Sequence, residues 1–228
     1  MSADAAFEKT LEVAEAAREL WIGRRLASGE FENEKSARSA FSRQMRAMKD
    51  RAAGDRLQDE TMDLVTAVTA LAKAARERGE TLLLAGGFAY GVHVEPRATV
   101  DIDLIIGGAG SADSIEAAMR AVFDSVYVNQ RTMDYTRVRV RRYLGITAAE
   151  ETVIDALEPV SSAFSRHIAE RAMPIDFKGV RLEVVSREDL YLLKSASARE
   201  QDRLDAVRLS ETPVFDWDYV NDMEQLLQ

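Results

Sequence analysis

Asp101 and Asp103, in the run Asp101-Ile102-Asp103-Leu104, are the side chains of this sequence best placed to hold a cation. On a strand, residues two apart share a face, so the two carboxylates would stand side by side while Ile102 and Leu104 face the core. Adjacent carboxylates repel each other unless a cation sits between them. That arrangement suits a divalent ion bridging the phosphates of a nucleotide. An Asp-x-Asp pair alone is also common on surface turns, so its neighbours decide the reading. Upstream stands Gly86-Gly87, closing the short apolar run Thr81 to Ala85. A strand that ends in two glycines and enters a helix offers backbone N–H groups to phosphate oxygens, with no side chain in the way. Phe88 to Val100 leaves room for one short helix and a return, which brings the glycine turn and the carboxylates to the same end of a sheet.

Composition limits what else the site can be. The chain has 228 residues, with 30 Lys and Arg against 39 Asp and Glu, for a net charge of −9. Taken alone, that balance argues against coating a polyanion. Cysteine is absent and the only histidines are His93 and His167, so disulfides, thiolate sites and a His-built zinc site are excluded. Any metal must bind oxygen ligands, which points to magnesium or manganese. Apolar residues at 46% and charged residues at 30% describe a globular chain. The N-terminus shows no basic region followed by an apolar one, and the most apolar stretch, Leu82 to Val94, is broken by three glycines. The expectation is a cytoplasmic protein with no membrane partner.

The surrounding elements must position these groups. Residues 3 to about 57 read as helical, with a break at Ser28-Gly29. A third helix runs from about Gln58 to Arg78 on the stripe Met62, Val65, Val68, Leu71 and Ala75, and stops at Gly79. Strands follow at Thr81 to Ala85 and Val100 to Ile106, then a helix to about Phe123 capped by Ser111 or Asp113. Tyr135 to Tyr143 and Thr152 to Leu157 read as strands joined near Gly145. Ser161 to Ala172 is helical, and Pro174 to Phe177 pairs with Val180 to Val185 about a turn at Lys178-Gly179. Ser186 caps the helices that run to about Leu209, and a short last helix is expected in Val214 to Gln228. The fold class is α+β: a mixed sheet over 81–185, a helical N-terminal extension over 1–80 and a helical region over 186–228.

The glycine pair, the short helix and Pro96-Arg97-x-Thr99-x-Asp101-Ile102-Asp103-Leu104 together resemble the nucleotidyltransferases of the polymerase β type, most closely the AbiEii-like branch of type IV toxin–antitoxin systems. The likeness covers about Leu82 to Leu209 and is sharpest from Gly86 to Leu104. It implies magnesium-dependent transfer of a nucleoside monophosphate from an NTP to a hydroxyl. Gly86 and Gly87 would hold the triphosphate, and Asp101 and Asp103 the metals. Many members carry Gly-Ser at the turn, where this chain has Gly-Gly. The family supplies a third carboxylate from a later strand, able to bind metal and accept the hydroxyl proton. Asp155, flanked by Ile154, Ala156 and Leu157, is our choice, because an acid among apolar strand residues is costly unless paired or metal-bound. An edge-strand aspartate facing solvent is the plainer alternative. Asp176 is the second candidate, although its place beside Lys178-Gly179 suits the turn. The stretch Glu188-Asp189-Leu190-x-x-Leu193-Lys194, then Ala198-Arg199, Asp202 and Asp205, resembles the AbiEii-like helices. There Lys194 would approach the phosphates; alternatively it is an exposed helix lysine. Arg97 and Thr99 precede the metal strand: Arg97 would contact phosphate or base, or pair with Asp103, and Thr99 shares the face of the two aspartates. His93 reads as a packing residue.

The acceptor is open at this stage. Lys35 to Arg56 carries seven bases against two acids, with Phe41, Met45 and Met48 as an apolar stripe, which suits RNA, a protein partner or plain packing. Arg137, Arg139 and Arg141 read as one face of a strand beside Asp155, suited to triphosphate or tRNA phosphates, or as surface patterning. The first expectation is NMP transfer to RNA (tRNA) or a protein within a toxin–antitoxin pair, with a cognate antitoxin or toxin as partner. The alternative is a weak or inactive nucleotide-binding module of such a pair.

Overall fold

The computed structural model describes residues 64–227 except 97, 98, 100, 107–111, 130, 148–150 and 178, together with isolated positions between 5 and 40. Among those isolated positions, helical residues recur from Ala5 to Ala40. Gly29 interrupts them at φ 72°, its N–H bonded to the Leu26 carbonyl at 3.0 Å. The seven bases of Lys35 to Arg56 lie outside the described residues.

Helix α1 (Leu64–Glu77) buries Val68, Leu71 and Ala75, as their helical spacing requires. Gly79 ends it at φ 76°. Then come β1 (Leu82–Leu84), α2 (Gly86–His93), β2 (Asp101–Ile106), α3 (Ala112–Val122), β3 (Ser125–Val128), β4 (Met133–Asp134), β5 (Val138–Ile146) and β6 (Glu151–Pro159). The rest is α4 (Ser162–Glu170), β7 (Met173–Phe177), β8 (Val180–Val184), α5 (Arg187–Ser195), α6 (Glu200–Ser210) and α7 (Trp217–Leu226). This is an α+β fold on one mixed sheet of order β3-β5-β6-β2-β1-β8-β7, with β4 paired to β5. β2 runs parallel to β6 and β1 parallel to β8; every other neighbouring pair is antiparallel.

Two expectations change. Gly145 is not the joint between two strands but lies inside β5, opposite Thr152. A Cβ there would meet the Phe123 ring at 2.6 Å, so the glycine makes room for an aromatic side chain. The short helix begins at Gly86 itself rather than after the glycine pair. β3 and β4 add two strands that the sequence patterning does not reveal; most of their residues are exposed or half-exposed and carry no apolar alternation.

One continuous apolar core draws on α1, the sheet and α5 to α7. Ile102, Leu104 and Ile154 point into it from the middle strands. Each such side chain contributes about 1.5–3 kcal/mol on burial. On β5, Arg141 and Tyr143 face α3, where Arg141 Nη1 donates to Asp113 at 2.9 Å. Their neighbours Val138, Val140 and Arg142 face the opposite way, into a cleft. Among the described residues no helix is long and apolar enough to cross a membrane.

Candidate active site

Strand register brings the three acids together. Asp103 on β2 pairs directly with Asp155 on β6, and Asp155 pairs with Arg142 on β5. Directly paired residues point to the same side of a sheet, with strands about 4.7–4.9 Å apart. Asp101 lies two residues before Asp103 and shares that side. One ligand atom from each of Asp101, Asp103 and Asp155 lies within 4.8 Å of the others. Asp101 and Asp155 are buried and Asp103 is half-buried. Three converging carboxylates with oxygen donors only are what a hard divalent cation requires, so this donor set fits magnesium or manganese.

The glycine turn is built against the same acids. Gly86 has φ 52°, a conformation that L side chains adopt at a cost. A Cβ on it would lie 1.7 Å from Asp103 Oδ2, and a Cβ on Gly87 would lie 2.6 Å from Thr99 Oγ1. The space freed by the two glycines is therefore taken by Asp103 of β2 and by Thr99 just before it, which lets α2 press directly onto the carboxylate strand. Ala85 precedes the helix and brings no side-chain cap. The first-turn N–H groups, which an α-helix leaves without an intrahelical acceptor, belong to Gly86, Gly87 and their successor. Thr99 is buried, its hydroxyl 3.3 Å from the Asp101 carbonyl and 3.4 Å from Asp101 Oδ1.

Basic groups complete the surroundings. Arg142 binds both oxygens of Asp155, Nε to Oδ1 at 2.7 Å and Nη2 to Oδ2 at 2.8 Å. Lys194 is buried rather than exposed, its ammonium 2.8 Å from Asp202 and 2.7 Å from Asp205. It lines the cleft while fastening α6 to α5. Burial alone would raise the Asp202 carboxyl, but the Lys194 charge and hydrogen bonds outweigh it and hold the group below the usual aspartate range.

The expected arginine row does not form a single face at Asp155. Arg137 precedes β5 and donates to the Leu192 carbonyl and to Glu224, both at 2.6 Å, tying the sheet to α5 and α7. Arg139 pairs with exposed Asp134, and Arg141 reaches α3 behind the sheet. Arg142, which follows two residues of the opposite-facing set, is the one that arrives at the acids. Its position follows from the hairpin register of β5 and β6, in which Gly145 is a strand residue and not the joint. Arg97 lies outside the described residues. Asp176 accepts from the Gly179 N–H at 3.1 Å and serves the β7–β8 turn. His93 packs with Nε2 2.7 Å from the Val185 carbonyl, away from the acids.

The cleft has a volume of about 600 Å³. Gly86, Gly87, Thr99, Asp101, Asp103 and Asp155 all line it. Val138, Val140 and Leu157 make an apolar stretch beside Asp155, and Lys194, Arg199 and Arg208 lie along the side of α5 and α6.

Residues 62–226 match the profile of a family described as nucleotidyltransferase of unknown function, DUF6036. No curated protein matches the chain. Among solved structures, an antigenic nucleotidyltransferase-like protein from Paracoccidioides brasiliensis is 16% identical, with 72% of this chain and 87% of that one covered and a TM-score of 0.46. ANT(2")-Ia in complex with adenylyl-2"-tobramycin is 14% identical, covering 73% and 97%, with a TM-score of 0.47. The lincosamide antibiotic adenylyltransferase LnuA, lincomycin-bound, is 15% identical, covering 61% and 91%, with a TM-score of 0.38.

Proposed function

We propose, from the premise that this chain belongs to the nucleotidyltransferase family DUF6036, that it transfers a nucleoside monophosphate from an NTP to a hydroxyl of RNA with the help of magnesium or manganese. Nucleotidyl transfer follows from the family; the cation, the acceptor and the residue roles are our reading. The observation that carries it is the convergence of Asp101, Asp103 and Asp155 beside the Gly86-Gly87 turn in one cleft.

Asp101, Asp103 and Asp155 would hold the divalent ion. When bound it would neutralise phosphate charge and ease loss of pyrophosphate. Gly86 and Gly87 present the N-terminus of α2 to the triphosphate, where unbonded N–H groups and the helix dipole favour an anion. Thr99 steadies Asp101 through its hydroxyl. The acceptor oxygen bonds to the α-phosphorus, the bond to the bridging oxygen breaks, and pyrophosphate departs. The hydroxyl proton is assigned to Asp155, the acid next to the apolar wall of Val140 and Leu157. Lys194 is the cleft ammonium assigned to the phosphates, and its charge is shared with Asp202 and Asp205. We place Arg97 with the nucleotide on the strength of the motif alone.

RNA (tRNA) is preferred over a protein acceptor because Arg199 and Arg208, more than half exposed although paired with Asp202 and Glu95, line the cleft. The AbiEii-like likeness of Glu188 to Asp205 supports membership of a toxin–antitoxin pair with a cognate partner. The test incubates the purified chain with each labelled NTP, magnesium or manganese, and total tRNA or cell protein. Label on RNA that disappears in the double variant Asp101→Ala, Asp103→Ala is expected. No transfer with any NTP, or transfer that survives the double variant, overturns the reading; calorimetric NTP binding without product would favour a nucleotide-binding module instead.

A further inference from the structure

We propose that Arg142 is an internal cation that competes with the divalent ion for Asp155, so that this third carboxylate takes up metal only when the guanidinium lets go. The inference rests on the metal site of the preceding reading, and adds a control on how that site is filled.

Arg142 and Asp155 are directly opposed on β5 and β6, so their backbones stay adjacent while the long arginine side chain can still part from the carboxylate. Two parallel N–H···O bonds occupy one lone pair on each carboxylate oxygen. Both side chains are largely shielded from solvent, 14% and 7% exposed, so salt and water screen the contact little. An ion ligated by Asp155 together with Asp101 and Asp103 would sit close to that guanidinium, and two cations sharing a buried carboxylate repel. The guanidinium cannot escape by losing its proton. It can only move, and Arg142 already lines the cleft into which it would swing. Loading is therefore ordered: Asp101 and Asp103 take an ion first, and Asp155 joins once Arg142 is drawn off. A triphosphate entering the same cleft is an anion of the right kind to draw it.

The test uses manganese alone, with no nucleotide, and reads bound ion by calorimetry and by the loss of the free-manganese electron spin resonance signal. Arg142→Met is expected to bind manganese more tightly than the wild type, by roughly 10-fold or more, opposite in sign to the roughly 10- to 100-fold loss that follows when a supporting outer partner is removed. Arg142→Lys, which can engage one oxygen at a time, should fall between the two. Without metal, Arg142→Met should melt below the wild type, and manganese should raise its melting temperature more. If Arg142→Met does not fold, Arg142→Lys carries the test alone. Unchanged manganese affinity in the folded variants overturns the proposal. Tighter manganese binding in a protein that transfers no nucleotide would leave this inference standing and defeat nucleotidyl transfer; transfer with unchanged affinity would do the reverse.

Discussion

Gly86→Ala separates two things a glycine can supply, backbone freedom and space. The new Cβ would lie 1.7 Å from Asp103 Oδ2, 2.3 Å from its Cγ and 2.7 Å from its Cβ. All three are too close, so the Asp103 side chain must withdraw from Gly86 by roughly an ångström or more, out of its place in the acid cluster. A displacement of about 1 Å in a reacting constellation costs on the order of 100-fold in rate. The φ of 52° adds about 1–2 kcal/mol of backbone strain for any L side chain. In a chain of this size that lowers the melting temperature by about 2–8 °C. Gly79→Ala is the control. Its φ is 76°, yet a Cβ there meets nothing within 4 Å and it lies at the end of α1. Both variants should lose similar stability through the backbone, but only Gly86→Ala should lose nucleotidyl transfer and weaken manganese binding. Thermal melting, steady-state rates and manganese titration on the two proteins read the comparison. If Gly86→Ala matches Gly79→Ala in all three, Asp103 does not depend on the missing Cβ and the argument fails.

Other consequences are open to direct measurement. Lys194→Met leaves Asp202 and buried Asp205 without their shared cation, and should cost about 3–5 kcal/mol in denaturant unfolding; a loss below 1 kcal/mol would show that the α5–α6 junction does not need it. Gly145→Ala drives a methyl group into the Phe123 ring and should cost about 1–3 kcal/mol, recovered in part by Phe123→Leu; absence of any rescue would place the strain elsewhere. Burial pushes the His93 imidazole below its ordinary value, against the opposing pull of the Val185 carbonyl. The unfolded chain then takes up this proton at a higher pH than the folded one, so stability is fully present above about pH 6.5 and falls as pH drops through the depressed folded value. His93→Gln should flatten that slope in pH-dependent melting curves, and an unaltered slope would assign it to other groups.

The sequence reveals elements whose cause is local. Leu82 to Leu84 is apolar on both faces and could only be an interior strand, and Ser186 caps α5 by accepting from the Asp189 N–H at 3.1 Å. The facing of Asp101 and Asp103 follows from the two-residue period, with Ile102 and Leu104 buried behind them. What depends on distant partners is not visible there. Gly145 has the composition of a turn, and only Phe123, far away in sequence, keeps it in a strand. Moving that joint shifts every β5–β6 pair, so the register that sets Arg142, rather than Arg137, Arg139 or Arg141, opposite Asp155 is not legible in the local pattern. Lys194 looks like a surface lysine until α6 folds back and brings Asp202 and Asp205 to it.

The position of β1 also bears on synthesis of the chain. Its three leucines pair with β2 on one side and with β8 on the other, and β8 begins at Val180. A nascent chain that has not yet reached that residue already carries all three acids, the glycine turn and Arg142. It also carries an apolar strand with one side open to pairing, the kind of edge that recruits other chains. The acid cluster is therefore synthesised before the strand that covers the β1 edge, and Lys194 and the rest of the cleft wall follow it.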